Sequence, residues 1–133
     1  MNVLITGATG FVGSHTAKAL KQAGFNLRVL VRNKKKSVAI LANLGIEADE
    51  FFVGDITDKA LIEQAVKGCD AVVHSAALVS TAAKDANLVY QTNVEGSKLI
   101  VECSLKAGVK KIIYVSSVSA LFNAGDTSMN EKT

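Results

Sequence analysis

The segment Thr6-Gly7-Ala8-Thr9-Gly10-Phe11-Val12-Gly13 places three glycines at three-residue intervals, after an apolar run and at the head of a helical pattern. Those residues in that context suit the binding of a phosphate. A glycine at 7 permits a tight turn from strand into helix. One at 10 lets the backbone approach a pyrophosphate where a Cβ would intrude, and one at 13 lets the helix pack close to a sheet. The first turn of a helix also offers N–H donors without intrahelical partners and the positive end of the helix dipole. An ordinary glycine-rich strand-to-helix turn is the bland alternative, and the strand before and helix after weigh against it. No Gly-Lys-Ser/Thr follows, so this is not a P-loop.

Two further groups bear on the same ligand. The second apolar run ends in Val31-Arg32-Asn33-Lys34, without an acid. An acidic residue there would suit the ribose 2′-hydroxyl of NAD, whereas the planar fork of Arg32 suits a 2′-phosphate, with Lys34 and Lys35 adding charge. NADP(H) is therefore the preferred cofactor and NAD(H) the alternative. A solvated basic helix start is the competing explanation. Gly54-Asp55-Ile56-Thr57 ends the third run, where the Asp55 carboxylate could accept from an adenine amine beside the Ile56 backbone. Its rival role is to start the next helix, a task that Thr57 or Asp58 could perform instead.

The elements that position these residues are legible as a β-α alternation. Strands are expected at Val3–Ile5, Leu27–Val31, Phe51–Val53, Ala71–Val73 and Ile112–Val115. The helices between them bury Val12, Thr16, Ala19, Leu20 and Ala23; then Val38, Leu41 and Leu44; then Leu61, Ile62, Ala65 and Val66. A longer helix from about Lys84 to Ala107 turns Leu88, Val89, Leu99, Ile100 and Cys103 inward. Gly24, Gly45, Gly68 and Gly108 follow as helix stops. Gly96, inside the long helix, implies close helix–sheet packing. Short all-apolar strands suit a parallel sheet covered on both faces. The fold class expected is α/β, a Rossmann-like doubly wound parallel sheet of strand order 3-2-1-4-5, truncated after strand five. Residues Asn123 to Thr133 are polar and aperiodic and read as a surface loop.

Composition narrows the class. The chain has 133 residues, 49% hydrophobic and 20% charged, with net charge +3, ten glycines and no proline. That is one domain, 1–133, and neither a disordered nor a low-complexity chain. Arg32, Lys34, Lys35 and Lys36 carry the whole excess, since without them the net charge is −1. So local a charge suits one anionic ligand and not a nucleic-acid-binding face, and 5% aromatics argues against base stacking. Cys69 and Cys103 are too few for a disulfide framework, which makes a cytoplasmic location the default. No apolar stretch approaches membrane-spanning length, and no metal-ligand spacing joins the two histidines and two cysteines. His74 follows a buried strand and reads as a packed or hydrogen-bonded histidine; His15 reads as a surface or packing residue.

With these motifs in place, the chain resembles the extended short-chain dehydrogenases/reductases over nearly all of residues 1–123. The nearest subgroup is that of the dihydroflavonol-reductase-like and NAD-dependent epimerase/dehydratase-like proteins. The phosphate loop is that family's Thr-Gly-x-x-Gly-x-x-Gly form. Val73-His74-Ser75-Ala76-Ala77-Leu78 resembles its His-x-Ala-Ala segment, Thr92-Asn93-Val94-Glu95-Gly96 the helical segment with a steadying asparagine, and Tyr114-Val115-Ser116-Ser117-Val118-Ser119 the strand end with a catalytic serine. The resemblance implies that Gly7, Gly10 and Gly13, with Thr9, Phe11 and Val12, bind the pyrophosphate. Arg32 and Lys35 would serve the adenosine phosphate, Asp55 and Ile56 would flank adenine, and Ala76 and Ala77 would line the cofactor path. Asn93 and Ser116 fall on the cofactor side. Ser117 would be the catalytic serine, donating to the reacting oxygen, although Ser116 and Ser119 lie close to it. The substrate implied is a small molecule with a carbonyl/alcohol pair, and a homodimer through the long helix is the implied assembly.

One family motif is missing from this sequence. The general acid is the tyrosine of Tyr-x-x-x-Lys, beyond the serine strand, whose lysine lowers the tyrosine pKa. Tyr90 is followed four residues later by Val94, and Tyr114 by Val118. Three readings follow: the cofactor-binding part of a reductase or epimerase that is inactive as these 133 residues alone, a non-catalytic dinucleotide-binding or redox-sensing module, or a structural self-associating domain. The first two bind NADPH without turnover; the third binds no nucleotide. In the first reading a sheet edge beside strand five lies uncovered.

Overall fold

Strands β1 (Asn2–Thr6), β2 (Asn26–Val31), β3 (Glu50–Val53), β4 (Ala71–His74) and β5 (Lys111–Tyr114) form one parallel sheet in the order β3-β2-β1-β4-β5. A computed structural model describes residues 1–121, and the loop expected at Asn123 to Thr133 lies outside them. The sequence alternation thus becomes the expected doubly wound topology. In the ladder, Thr6 is opposite Leu30 on one side and His74 on the other, and His74 is opposite Tyr114. The carboxyl ends of the strands therefore line up along one edge.

Residues alternate across the central strands, so the sheet builds two cores. Val3, Ile5 and Val29 pack with Ala17 of α1 (Phe11–Gln22) and Leu41 of α2 (Lys34–Ala42) on one face. Leu4, Leu30 and Val72 pack on the other face with Ile62 of α3 (Lys59–Val66) and with Ile100 and Cys103 of α5 (Gly96–Lys106). Asp58 caps α3 by accepting from the Leu61 amide at 3.1 Å. The four glycines expected to stop helices all have positive φ. At the sheet's edges the burial fails: Ile113, Tyr114 and Val115 at the β5 edge are exposed.

Two helical faces differ from expectation. α1 buries Gly13, Ser14 and Ala17, whereas Val12 is 52% exposed and Ala19 is exposed. A Cβ on Gly13 would lie 2.1 Å from the Gly7 carbonyl oxygen. The helix thus sits so close to the turn that its contact face must be made of small residues, which an apolar count overlooks. In α2, Ser37 and Leu41 are buried, while Val38 is exposed and Leu44 is partly buried.

The long helix is not uniform. A 3₁₀ turn (Ala83–Asp85) leads into α4 (Ala86–Tyr90), then a π turn (Gln91–Glu95), then α5. In the π turn the Gly96 amide donates to the Gln91 carbonyl, five residues back. That wider turn breaks the 3.6 period. Leu88, expected inward, is 54% exposed, while Leu99, Ile100 and Cys103 remain against the core. At Gly96 a Cβ would meet Ile56 at 2.7 Å, so the packing there is close, but against the loop after β3 and not against the sheet itself as expected.

Candidate functional site

A cleft of about 490 Å³ opens at the carboxyl ends of β1 to β4. In a doubly wound sheet this is the crevice where ligands bind. Gly7 and Gly10 line it, with Thr9 between them, and so do Arg32, Asp55, Ile56, Ala76 and Ala77. Phe11, Val12 and Gly13 are not among the lining residues; they begin α1 directly after Gly10, where their amides are the free donors of a first helical turn.

The three glycines differ in what surrounds them. Gly7 has φ of 72°, and a Cβ there would meet the Ala76 amide nitrogen at 2.7 Å. Its carbonyl accepts from the Gly10 amide at 2.9 Å, closing the turn. Gly13 is pressed against that same carbonyl. Around Gly10 one atom alone, the Gly7 oxygen at 3.4 Å, comes within 4 Å of a built Cβ. Gly7 and Gly13 are thus required by the protein's own packing, and Gly10 leaves room at the cleft. An open glycine beside helix-start amides is a fit for a pyrophosphate.

At the end of β2, Arg32 and Lys36 line the cleft. Lys35, named with Arg32 from the sequence, is not among the lining residues; Lys34 lies over the Phe51 ring, 5.3 Å from its centroid. The phase comes from Asn33, which caps α2 by accepting from the Lys36 amide at 2.9 Å. A cap residue after Arg32 was a usable signal for that phase. No acidic residue lies in the first turn of α2. Three lysines therefore crowd the positive end of its dipole.

Asp55 is turned partly to its own loop. Its Oδ1 accepts from the Thr57 amide at 2.9 Å and from the Thr57 hydroxyl at 2.7 Å. The Thr57 hydroxyl and amide, with the positive charge of Arg32, hold the carboxyl below its ordinary value. Asp55 therefore presents a carboxylate to the cleft at neutral pH, while Ile56 is buried against Gly96.

The segment after β4 is held from two sides. Ser75 Oγ donates to the Thr6 carbonyl at 2.8 Å, and the Ala76 amide donates to Thr6 Oγ1 at 3.2 Å. Asn93 clamps Leu78, with Oδ1 accepting from its amide and Nδ2 donating to its carbonyl, each at 2.8 Å. Asn93 thus acts on the loop through its side chain and is not among the cleft-lining residues. His74 is buried, packed against Tyr114 at 5.4 Å between ring centroids and bonded at both nitrogens. Burial pushes its pKa down to about 4. His15 is exposed, its Nδ1 2.8 Å from the Phe11 carbonyl.

Ser116 and Ser117 lie after β5, exposed and apart from the lining of the cleft. Ser117 Oγ accepts from the Ser119 amide at 3.2 Å, capping a 3₁₀ turn (Val118–Ala120). Among the described residues its hydroxyl hydrogen has no acceptor, so it can donate outward. Ser37 in the lining and Ser97, bonded to His74, were not signalled by the sequence, which singled out Lys36 only within the basic run and Thr92 only within the asparagine segment. Among the described residues, no three His, Cys, Asp or Glu side chains group as a metal site, and no helix is long and apolar enough to cross a membrane.

The family model described as the NAD dependent epimerase/dehydratase family matches residues 3–133. A putative dihydroflavonol 4-reductase of Synechocystis sp. is 38% identical over 92% of this chain and 34% of its own length. A UDP-glucose 4-epimerase of Neisseria gonorrhoeae is 36% identical over 93% of this chain and 39% of its own length. Among solved structures, UDP-glucose-4-epimerase of Stenotrophomonas maltophila with bound NAD and formylated UDP-arabinopyranose superimposes with a TM-score of 0.81. It is 26% identical and covers 98% of this chain, which spans 41% of it. A short-chain dehydrogenase/reductase superfamily protein of Agrobacterium tumefaciens with bound NAD gives a TM-score of 0.75 at 29% identity, covering 88% of this chain and 33% of its own. The chain thus spans between a third and a half of the length of these relatives.

Proposed function

This chain belongs to the NAD dependent epimerase/dehydratase family, and we propose that it is the cofactor-binding part of a reductase or epimerase that prefers NADP(H). The observation that carries the preference is the end of β2. Arg32 and Lys36 line the cleft, no acid stands in the first turn of α2, and the lysines there oppose the helix dipole. A dianionic 2′-phosphate would relieve that repulsion and meet the guanidinium as a fork. NAD is bound in the solved relatives named above, which makes NAD(H) the competing cofactor.

When bound, the nicotinamide accepts or supplies the hydride of a carbonyl/alcohol interconversion. The amides at the start of α1 and the open backbone at Gly10 hold the pyrophosphate. Asp55 takes the adenine amine, and the Ala76-Ala77 backbone shapes the wall. Ser117 is the catalytic serine of this reading: having accepted from Ser119, its hydroxyl donates to the reacting oxygen and stabilises charge developing there. Neither Tyr90 nor Tyr114 begins a Tyr-x-x-x-Lys, so these 133 residues supply no general acid of that kind. The chain by itself is accordingly a binder without turnover. Its setting is cytoplasmic, in keeping with two buried free cysteines. Val94, Val101 and Leu105, exposed along the π turn and α5, are the surface for a homodimer.

Titrating the chain with NADPH and with NADH tests this. The expected result is tighter binding of NADPH, with Arg32→Ala removing most of the difference and leaving NADH affinity nearly unchanged. Equal affinities that Arg32→Ala does not alter overturn the NADP(H) preference. No binding of either dinucleotide overturns the site.

A further inference from the structure

We propose that His74, acting through Ser97, is a positioning residue of the cleft: its imidazole joins the end of β1 to the π turn, so that one hydrogen-bond chain sets the loop 75–78. The proposal rests on the dinucleotide reading above for its functional consequence and on geometry for the coupling.

The loop has two anchors on different elements, Thr6 at the end of β1 and Asn93 in the π turn. His74 lies between them. Its Nδ1 is 2.6 Å from Thr6 Oγ1, and its Nε2 is 2.9 Å from Ser97 Oγ. Ser97 Oγ in turn donates to the Asn93 carbonyl at 2.6 Å.

The two ends fix the direction of the chain. The Asn93 carbonyl can only accept, so the single hydroxyl hydrogen of Ser97 is committed to it. His74 Nε2 must then carry the proton and donate to Ser97. Nδ1 is left as an acceptor, which the Thr6 hydroxyl fills. Thr6 Oγ1 still accepts from the Ala76 amide, which can only donate. The neutral Nε2–H form of His74 satisfies every member, and the low pKa of the buried ring keeps it in that form.

The consequence is mechanical. Loss of the Ser97 hydroxyl strands the Nε2–H and removes a donor from the carbonyl of the very residue that clamps Leu78. The π turn is then free to relax toward a regular helix, carrying the Asn93 side chain with it. At the other end Thr6 immediately precedes Gly7, so the disturbance reaches the phosphate turn. Ser97 itself is not part of the cleft lining; its effect on a ligand must travel through the chain.

The test uses Ser97, because it is only partly buried and its truncation spares the core. Dinucleotide dissociation constants are measured for wild type, Ser97→Ala and Ser97→Thr, with amide hydrogen exchange at Ala76 and imidazole nitrogen NMR of His74. Ser97→Ala should weaken NADPH about tenfold, a coupling of ordinary size, and should speed exchange at the Ala76 amide. Ser97→Thr, which keeps the hydroxyl, should restore both. The His74 nitrogens should report a protonated Nε2 and a bare Nδ1 at neutral pH. Wild-type affinity and exchange in Ser97→Ala overturn the proposal. So does equal damage from Ala and Thr, or a protonated Nδ1. Should wild type bind neither dinucleotide, the functional reading falls by itself, and Ala76 exchange in Ser97→Ala still decides the coupling.

Discussion

Gly10 and Gly13 are the same residue three positions apart, yet alanine should affect them differently: stability suffers most at 13 and ligand affinity at 10. Alanine in a helix ordinarily gains about 1 kcal/mol over glycine. At Gly13 the new methyl would sit 2.1 Å from a backbone oxygen that cannot rotate away. Gly13→Ala should therefore lower stability by about 1–3 kcal/mol, as overpacking does, read as a lower urea midpoint. At Gly10 the nearest atom is 3.4 Å from the same methyl. Gly10 is the N-cap of α1, where alanine is poorer than glycine, so Gly10→Ala should lower the urea midpoint by less than Gly13→Ala does and lose dinucleotide affinity, because the methyl occupies the space left for phosphate. Identical midpoints for the two variants would show that the turn gives more than its geometry implies. The spacing of the glycines signalled the tight turn at Gly7 and a close approach at Gly13. It could not show that the oxygen crowding Gly13 belongs to Gly7, nor that Lys36 and not Lys35 turns to the cleft, since side-chain direction depends on where Asn33 starts the helix.

At the level of the element, α2 carries the cofactor preference and its start can be redesigned. Asn33→Asp keeps a capping side chain for the Lys36 amide and puts a negative charge at a helix N-terminus otherwise crowded by three lysines. Both effects favour the helix, by about 0.3–1 kcal/mol for the charge. The same carboxylate stands beside Arg32 and repels a 2′-phosphate. Asn33→Asp should thus raise the urea midpoint slightly while moving the NADPH/NADH affinity ratio toward NADH; an unchanged ratio would detach the preference from the start of α2. Among the described residues, periodicity recovered every strand and the existence of every long helix. It failed where a helix face is built from Gly13, Ser14 and Ala17, because apolar counting does not register small residues. It failed again at Leu88, because the π turn inserts a wider step that no 3.6 template contains.

Across the whole molecule, the strand order 3-2-1-4-5 was legible because short apolar strands alternating with helices leave few topologies once crossovers are right-handed. The long-range polar connections were not. Thr6, His74 and Ser97 are ordinary residues in three distant stretches, and only the register that sets Thr6 opposite His74 brings them together. That buried centre should govern how the fold responds to acid. Burial holds His74 at about 4, against an ordinary value of 6.5. Between these values the unfolded chain takes up a proton that the folded chain refuses, so stability falls as pH drops from 6.5 toward 4 and the loss is complete below that. Each pH unit in the window is worth about 1.4 kcal/mol, which makes the full loss roughly 3 kcal/mol. Asp49 acts in a separate window. Hydrogen bonds from Lys21 and the Leu27 amide hold its carboxyl low, so it stabilises the fold above its unfolded value of 3.8 and that contribution fades only below it. Urea midpoints measured from pH 7.5 to 4 should therefore decline steadily through the histidine range, before the carboxylates respond. The same series on His74→Gln should start lower, for want of the buried imidazole, and lose that slope. A wild-type midpoint that holds level to pH 4, or a variant that declines in parallel with it, would place the acid-sensitive group elsewhere in the molecule.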